Sequence, residues 1–213
     1  MSGTIIAGSG GLHADSVVII GSNTSATGGP LPQINAPISK AALEDAFSAT
    51  VAGILRLSNG LVRPRWQPGP PNQPDAGVDW VSLGITARDT NGFPYVSHAH
   101  GGPSTLIRWP ILTVLISLYG PNADDYAEEL RDALYLNQNL EALNLLGVKL
   151  VEAGEVVAVP DLTNVQWINR VDLRTRFAME QTRQYNILDF ASSDGTVTTD
   201  TGVSGSFLAI NPT

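Results

Sequence analysis

The sequence predicts an α+β domain, a largely antiparallel sheet with helices packed on it, flanked by a long N-terminal arm and a C-terminal tail. Three observations carry that prediction. Residues 165–181 (VQWINRVDLRTRFAMEQ) alternate Val171, Leu173, Thr175, Phe177 and Met179, apolar but for the threonine, with polar Arg170, Asp172, Arg174 and Arg176. That is the period of a strand with one buried face and one wet face. Leu43, Phe47, Val51, Ile54 and Leu55 recur at helical spacing. Residues 1–38 and 191–213 are instead rich in Gly, Ser, Thr and Pro, and bracket a core-forming stretch at 39–190.

Taken in order, the arm (1–38) holds two short β-branched runs, at 4–6 and 17–20, neither able to support a core alone. Ser39 is placed to cap a helix, with Glu44 and Asp45 near its positive end. Asn59-Gly60 is expected to end it. An extended run follows at 61–66, and then a loop (67–74) stiffened by Pro68, Pro70, Pro71 and Pro74. Residues 78–87 alternate as a strand, 89–92 turn, and 93–96 form a short extended piece. Residues 105–119 are apolar on both faces, the pattern of a central strand covered on both sides. Pro110 demands a bulge or break there.

Asn122 and Asp125 have the spacing of a capping-box variant. The helix behind them turns Tyr126, Leu130, Ala133 and Leu134 inward, and Asp124, Asp125, Glu128, Glu129 and Asp132 outward. A second helical piece at 140–146 stops at Gly147. Residues 148–159 read as a strand kinked at Gly154, and 161–164 as a turn. The long strand 165–181 follows, spanning more than about 40 Å. In the tail, Phe207, Leu208 and Ile210 could dock as a short strand.

Composition narrows the function. The chain has 213 residues, a formal charge of −8 and no cysteine. Acidity argues against broad nucleic-acid affinity, and is compatible with lining a passage through which DNA slides. The lack of cysteine removes disulfides and thiolate chemistry. No window reaches the ~18 apolar residues of a membrane span, and the N-terminus lacks the basic region of a secretory signal.

Chemical motifs fail one by one. Ala7-Gly8-Ser9-Gly10-Gly11 begins like a dinucleotide fingerprint, but His13 stands where the third glycine belongs and no helix follows. The glycines at 21–28 lack a phosphate-loop lysine. His98 and His100 could share a metal on a strand, yet only His13 remains as a further imidazole, so a solvated loop is the better reading. Gly202–Gly205 is one residue short of a nucleophile elbow. The carboxylate pairs Asp124-Asp125 and Glu128-Glu129 make a solvated helix face without an apolar pocket. No catalytic residue, cofactor site or metal site is expected.

What remains is charge geography. Arg170, Arg174, Arg176 and Arg183 concentrate basic charge along one strand, while the five acids between Asp124 and Asp132 line one helix. In a monomer these are two unrelated solvated faces. In a closed ring a basic strand can meet the acidic helix of the next subunit, a heterologous interface.

The run NGLVRPRWQPGPPNQP, leading into Asp79-Trp80, resembles the tail-terminator or neck proteins of contractile-tailed bacteriophages, where an RP-x-W run passes through a proline loop into a DW strand. Tyr119-Gly120 before an acidic helix, Gly147-Val148, and Pro160-Asp161-Leu162 ahead of the strand core 169–173 follow in the same order. The resemblance spans about residues 39–190. It implies a non-enzymatic virion protein forming a homo-hexameric ring. Such a ring joins the tail tube and sheath to the head connector, with DNA passing through its lumen without sequence-specific binding. It also implies assembly in the host cytoplasm and no membrane partner. The family often has glutamate before the strand's arginine; Asn169 stands there in this chain. The rival readings are another tail or baseplate component, or a small metal- or carbohydrate-binding module using Trp66, Trp80 and the His98/His100 loop.

Overall fold

In a computed structural model, residues 30–67, 73–90, 92–99, 102–163, 166–187, 192–198, 202 and 204–210 are described. Most of the arm, the centre of the proline loop and His100 lie outside them. The body is α+β, as the alternation predicts. A five-stranded sheet has the order β1 (Val62–Pro64), β2 (Trp80–Thr90), β5 (Pro110–Tyr119), β9 (Arg170–Met179), β6 (Val148–Ala158). Every pair is antiparallel except β1 with β2. Helices α1 (Lys40–Leu55), α2 (Ala123–Ala133) and α3 (Glu141–Leu145) cover one face only.

The core lies between these two layers. Leu43, Phe47, Val51 and Leu55 of α1 meet Val81 and Leu83 of β2, Leu112, Val114 and Ile116 of β5, and Leu173 and Phe177 of β9. Phe47 and Phe177 tilt against each other with ring centroids 4.9 Å apart. Burying each such side chain is worth about 1.5–3 kcal/mol, so this seam holds the layers together. Thr175 is the one polar β9 residue pointing into it, and its hydroxyl donates to the Val114 carbonyl.

Ser39 caps α1 by accepting from the Ala42 amide. The helix stops before Asn59-Gly60, however. Arg56 takes a left-handed conformation (φ 57°), its N–H returns to the Ala52 carbonyl, and its guanidinium meets Glu129 at 2.7 Å. Arg56 thus takes a backbone region that glycine usually fills. Glu44 serves the sheet instead of the helix end: its carboxylate accepts from the Ile85 amide, beyond the last residue pairing of β1 with β2. The expected capping box is also absent. Asn122 makes no side-chain cap, because its amide nitrogens, main-chain and side-chain, both donate to Asp79.

The stretch 105–119 is not one doubly covered strand. It divides at Trp109 into β4 (Ser104–Arg108) and β5, and the second face of β5 carries half-buried Ile111, Thr113 and Leu115 without a helix over it. Proline lacks the amide that would continue the ladder, which places the break at Pro110. The long strand divides likewise into β8 (Gln166–Ile168), β9 and β10 (Gln181–Tyr185). The expected turn at 161–164 begins as β7 (Asp161–Thr163), which pairs with β8 as a hairpin. Register is kept across the break: Ile111 faces Ala178, and Arg108 faces Gln181. The two strands therefore run on together into a second sheet, β10-β4-β3, whose third member is Tyr95–Ser97. Gln33 and Asn35 bond along the free edge of β10, as does the Ile34 amide to the Gln184 carbonyl. The tail forms a separate hairpin, β11 (Ser192–Thr198) with β12 (Ser204–Ile210).

Candidate assembly interface

Alternation along β9 sends Arg170, Asp172, Arg174 and Arg176 to the sheet face that no helix covers. These arginines are not equivalent. Arg170 grips Asp172 through two hydrogen bonds (2.9 and 2.8 Å), stands 3.7 Å from Asp161, and lies over the Tyr119 ring. The hydrogen bond to Asp172 raises its pKa above the ordinary guanidinium value, against the opposing effect of burial. Arg170 is an internal brace, with only 17% of its side chain exposed. Arg176 reaches Glu152 at 3.6 Å. Arg174 is exposed and has no ion pair among the described residues. It lines a shallow hollow of about 420 Å³ with Leu115, Glu152, Val157 and Asp172. Arg183 belongs to β10 and is hydrogen-bonded to Gln33 at the base of the arm.

The acids of α2 divide in the same way. Glu129 pairs with Arg56 at 2.7 Å, Glu128 with Arg131 at 2.5 Å, and Asp132 approaches Arg131 at 3.6 Å. Asp124 accepts from the Asn169 amide at 3.0 Å. A glutamate at position 169 could not make that donation at neutral pH, so the asparagine suits its acidic neighbour. Asp125 is exposed and has no ion pair among the described residues. Because α2 sits on the opposite side of the sheet from Arg174, the chain does not bring the two charged surfaces together; it sets them back to back.

On the open face beside β9, the residues of the RPRW and DW runs form one connected cluster. Arg63 lies over the Trp80 ring, which stacks on Tyr119 at 4.1 Å. Arg65 donates to the buried Ser117 hydroxyl at 2.9 Å. Trp66 covers Gly84, where a Cβ would come within 2.7 Å of its ring, and Lys40 sits above it. Asp79 closes the cluster at the start of α2. A face of the Trp80 ring is thus taken up by Tyr119, which weakens the reading of the tryptophans as a sugar platform. His98 is 3.4 Å from the Ser104 hydroxyl, and no group of metal-ligating side chains occurs among the described residues. No helix of the described residues is long and apolar enough to cross a membrane.

Sequence reasoning missed several exposed apolar side chains. Leu162 faces Trp167 across the β7–β8 hairpin, and both are exposed, as are Phe93, Tyr95 and Trp109 around the second sheet. The available signal was aromatic residues beside turn residues, as in Asn91-Gly92-Phe93.

A family model described as phage neck terminator protein matches residues 41–201. No curated protein matches the chain.

Proposed function

The chain belongs to the phage neck terminator protein family, and from that premise we propose that it closes a homo-hexameric ring at the head-proximal end of a contractile tail. A phage tail structural role comes with the family. The ring joins the tube and sheath to the head connector, with DNA passing through its lumen. The chain acts without catalysis, and the ring assembles on the tail in the host cytoplasm. The observation that carries this reading is the back-to-back placement of exposed Arg174 and exposed Asp125 on opposite layers of one thin domain. Head-to-tail rings need two different complementary faces on each subunit, and these two provide them. Arg176 flanks the first, and Glu128 and Asp132 flank the second. Arg170 on the same face and Arg183 on β10 are both satisfied within the chain. Of the whole-molecule charge of −8, the part turned to the lumen keeps DNA from adhering.

Imaging of virion necks and of purified protein added to tail tubes tests the proposal. A six-fold ring seated on the head-proximal end is expected. A species that stays monomeric in solution and leaves tail ends bare would overturn it.

A further inference from the structure

Side chains of β1, β2 and β5 stand in register on the face without helices. Arg63 pairs with Ser82 across β1–β2, and Ser82 with Ser117 across β2–β5. On one side of this row Trp80 stands opposite Tyr119, and on the other Gly84 stands opposite Leu115. A Cβ at Gly84 would come within 2.7 Å of the Trp66 ring and 3.1 Å of the Arg65 Cβ. The glycine thus lets Arg65 and Trp66 lie down on the sheet. Between Trp66 and Trp80 this leaves a hollow of about 410 Å³, with Ser82 on its floor and Arg65 in its wall.

Two donors in the hollow have hydrogen bonds to spare. The Arg65 guanidinium is half-buried, gives one hydrogen bond to the Ser117 hydroxyl, and has no ion pair among the described residues. A guanidinium carries five N–H donors, and burying its charge without a counter-charge is costly. Ser82 is only 8% exposed, and its hydroxyl makes no hydrogen bond among the described residues. Arg63 adds positive charge over the Trp80 ring. Asp161, on the far wall, stands 3.7 Å from Arg170. We infer that this hollow binds the carboxylate of an acidic side chain carried on a segment of a partner protein. Arg65 meets the carboxylate with N–H groups that Ser117 leaves free, and Ser82 donates to it from the floor. The indoles of Trp66 and Trp80 pack on the methylenes behind it and keep water out, where a charge-assisted hydrogen bond is strongest. A DNA backbone would need a run of cations, and the same sheet face holds Asp161, Asp172 and Glu152. A single carboxylate needs only the donors present.

The probe is N-acetyl-glutamate N-methylamide, with the glutamine analogue as its neutral control and inorganic phosphate as the competing anion. The full chain is titrated with each, and binding is read from tryptophan fluorescence and from the arginine side-chain signals in NMR. Saturable binding of the glutamate probe at millimolar concentration is expected, with the glutamine analogue at least tenfold weaker. Arg65→Gln should weaken the glutamate probe at least tenfold. Ser82→Ala, which removes a hydroxyl that bonds nothing in the fold, should weaken it about threefold and leave the unfolding midpoint unchanged. Folded protein that binds neither analogue, or both equally, overturns the inference. Tighter binding of phosphate than of the glutamate probe also overturns it, in favour of a nucleic-acid backbone. Probe affinity that falls as protein concentration rises overturns the separate partner, because a second copy then fills the hollow. The ring reading is untouched by failure here, since closure is read independently from solution mass.

Discussion

The indole of Trp80 stacks on the ring of Tyr119 with centroids 4.1 Å apart and planes 4° from parallel. The pair bridges β2 and β5 on the face without helices, with Arg63 and Arg170 lying over the two rings. A stack of this kind contributes about 0.5–1.5 kcal/mol beyond area burial. Trp80→Ala is therefore expected to destabilise the fold by about 2–3 kcal/mol. In a double-mutant cycle with Tyr119→Ala, measured by urea unfolding, a coupling energy of about 1 kcal/mol is expected. Additive losses would show that the two rings stabilise the sheet independently.

Asp79 links the same cluster to α2. Its carboxylate accepts from the main-chain and side-chain nitrogens of Asn122, at 2.9 and 2.7 Å, where a helix start leaves amides without partners. Asp79→Ala should cost about 1–2 kcal/mol, the range of a lost N-cap. Gly120 is tighter still: its φ is +112°, and a Cβ there would meet the Asp79 carboxylate at 2.5 Å and its Cα at 2.8 Å. Gly120→Ala should cost about 3 kcal/mol, since strain and clash add. Thermal unfolding measures both, and an order with Asp79→Ala the more damaging would contradict the steric account.

Part of this arrangement was legible in the sequence, and the division has a physical cause. Period-two alternation placed Thr175 and Phe177 inward and Arg174 and Arg176 outward on β9, because facing depends only on local geometry. Whether an outward arginine is free depends on neighbours distant in sequence. Arg170 finds Asp161 through the β7–β8 hairpin, and Arg56 finds Glu129 across the two helices. α1 ends at Arg56 and not at Asn59-Gly60, through the local bond of the Arg56 N–H to the Ala52 carbonyl. Break points were half visible: Pro110 announced one, but the matching interruption at Glu180 follows from the partner strand.

Arg170 gives a pH prediction. Its folded pKa is raised by the hydrogen bond to Asp172, so the folded state holds this proton more tightly than the unfolded chain does. A raised cation contributes stability that is fully present below its unfolded pKa and is lost only as pH rises through the folded value. For a guanidinium both lie in strong alkali. Arg170→Gln should therefore cost about 1.5–3 kcal/mol, the value of charged hydrogen bonds. That cost should be equal at about pH 7 and about pH 9. Denaturant titrations at the two values check this, and a cost that shrinks between them would mean another group supplies the stabilisation.

Arg174 differs from Arg170 in the one property that matters for assembly. Both are arginines of β9 on the same face, four residues apart, but Arg170 is held by Asp172 and Arg174 by no acid among the described residues. Reversing an exposed charge with no partner changes fold stability by less than about 0.5 kcal/mol. Arg174→Glu should then leave the unfolding midpoint unchanged while blocking ring closure, since like charges facing each other across an interface cost several kcal/mol. Asp125→Arg alone should block it too. The two substitutions in one chain restore opposite charges at every junction of a head-to-tail ring, so the double variant should recover rings that neither single variant forms. Solution mass and electron microscopy read the outcome. If Arg174→Glu assembles normally, the basic face of β9 is only a solvated surface; if both single variants fail and the double variant fails as well, Arg174 and Asp125 do not face each other.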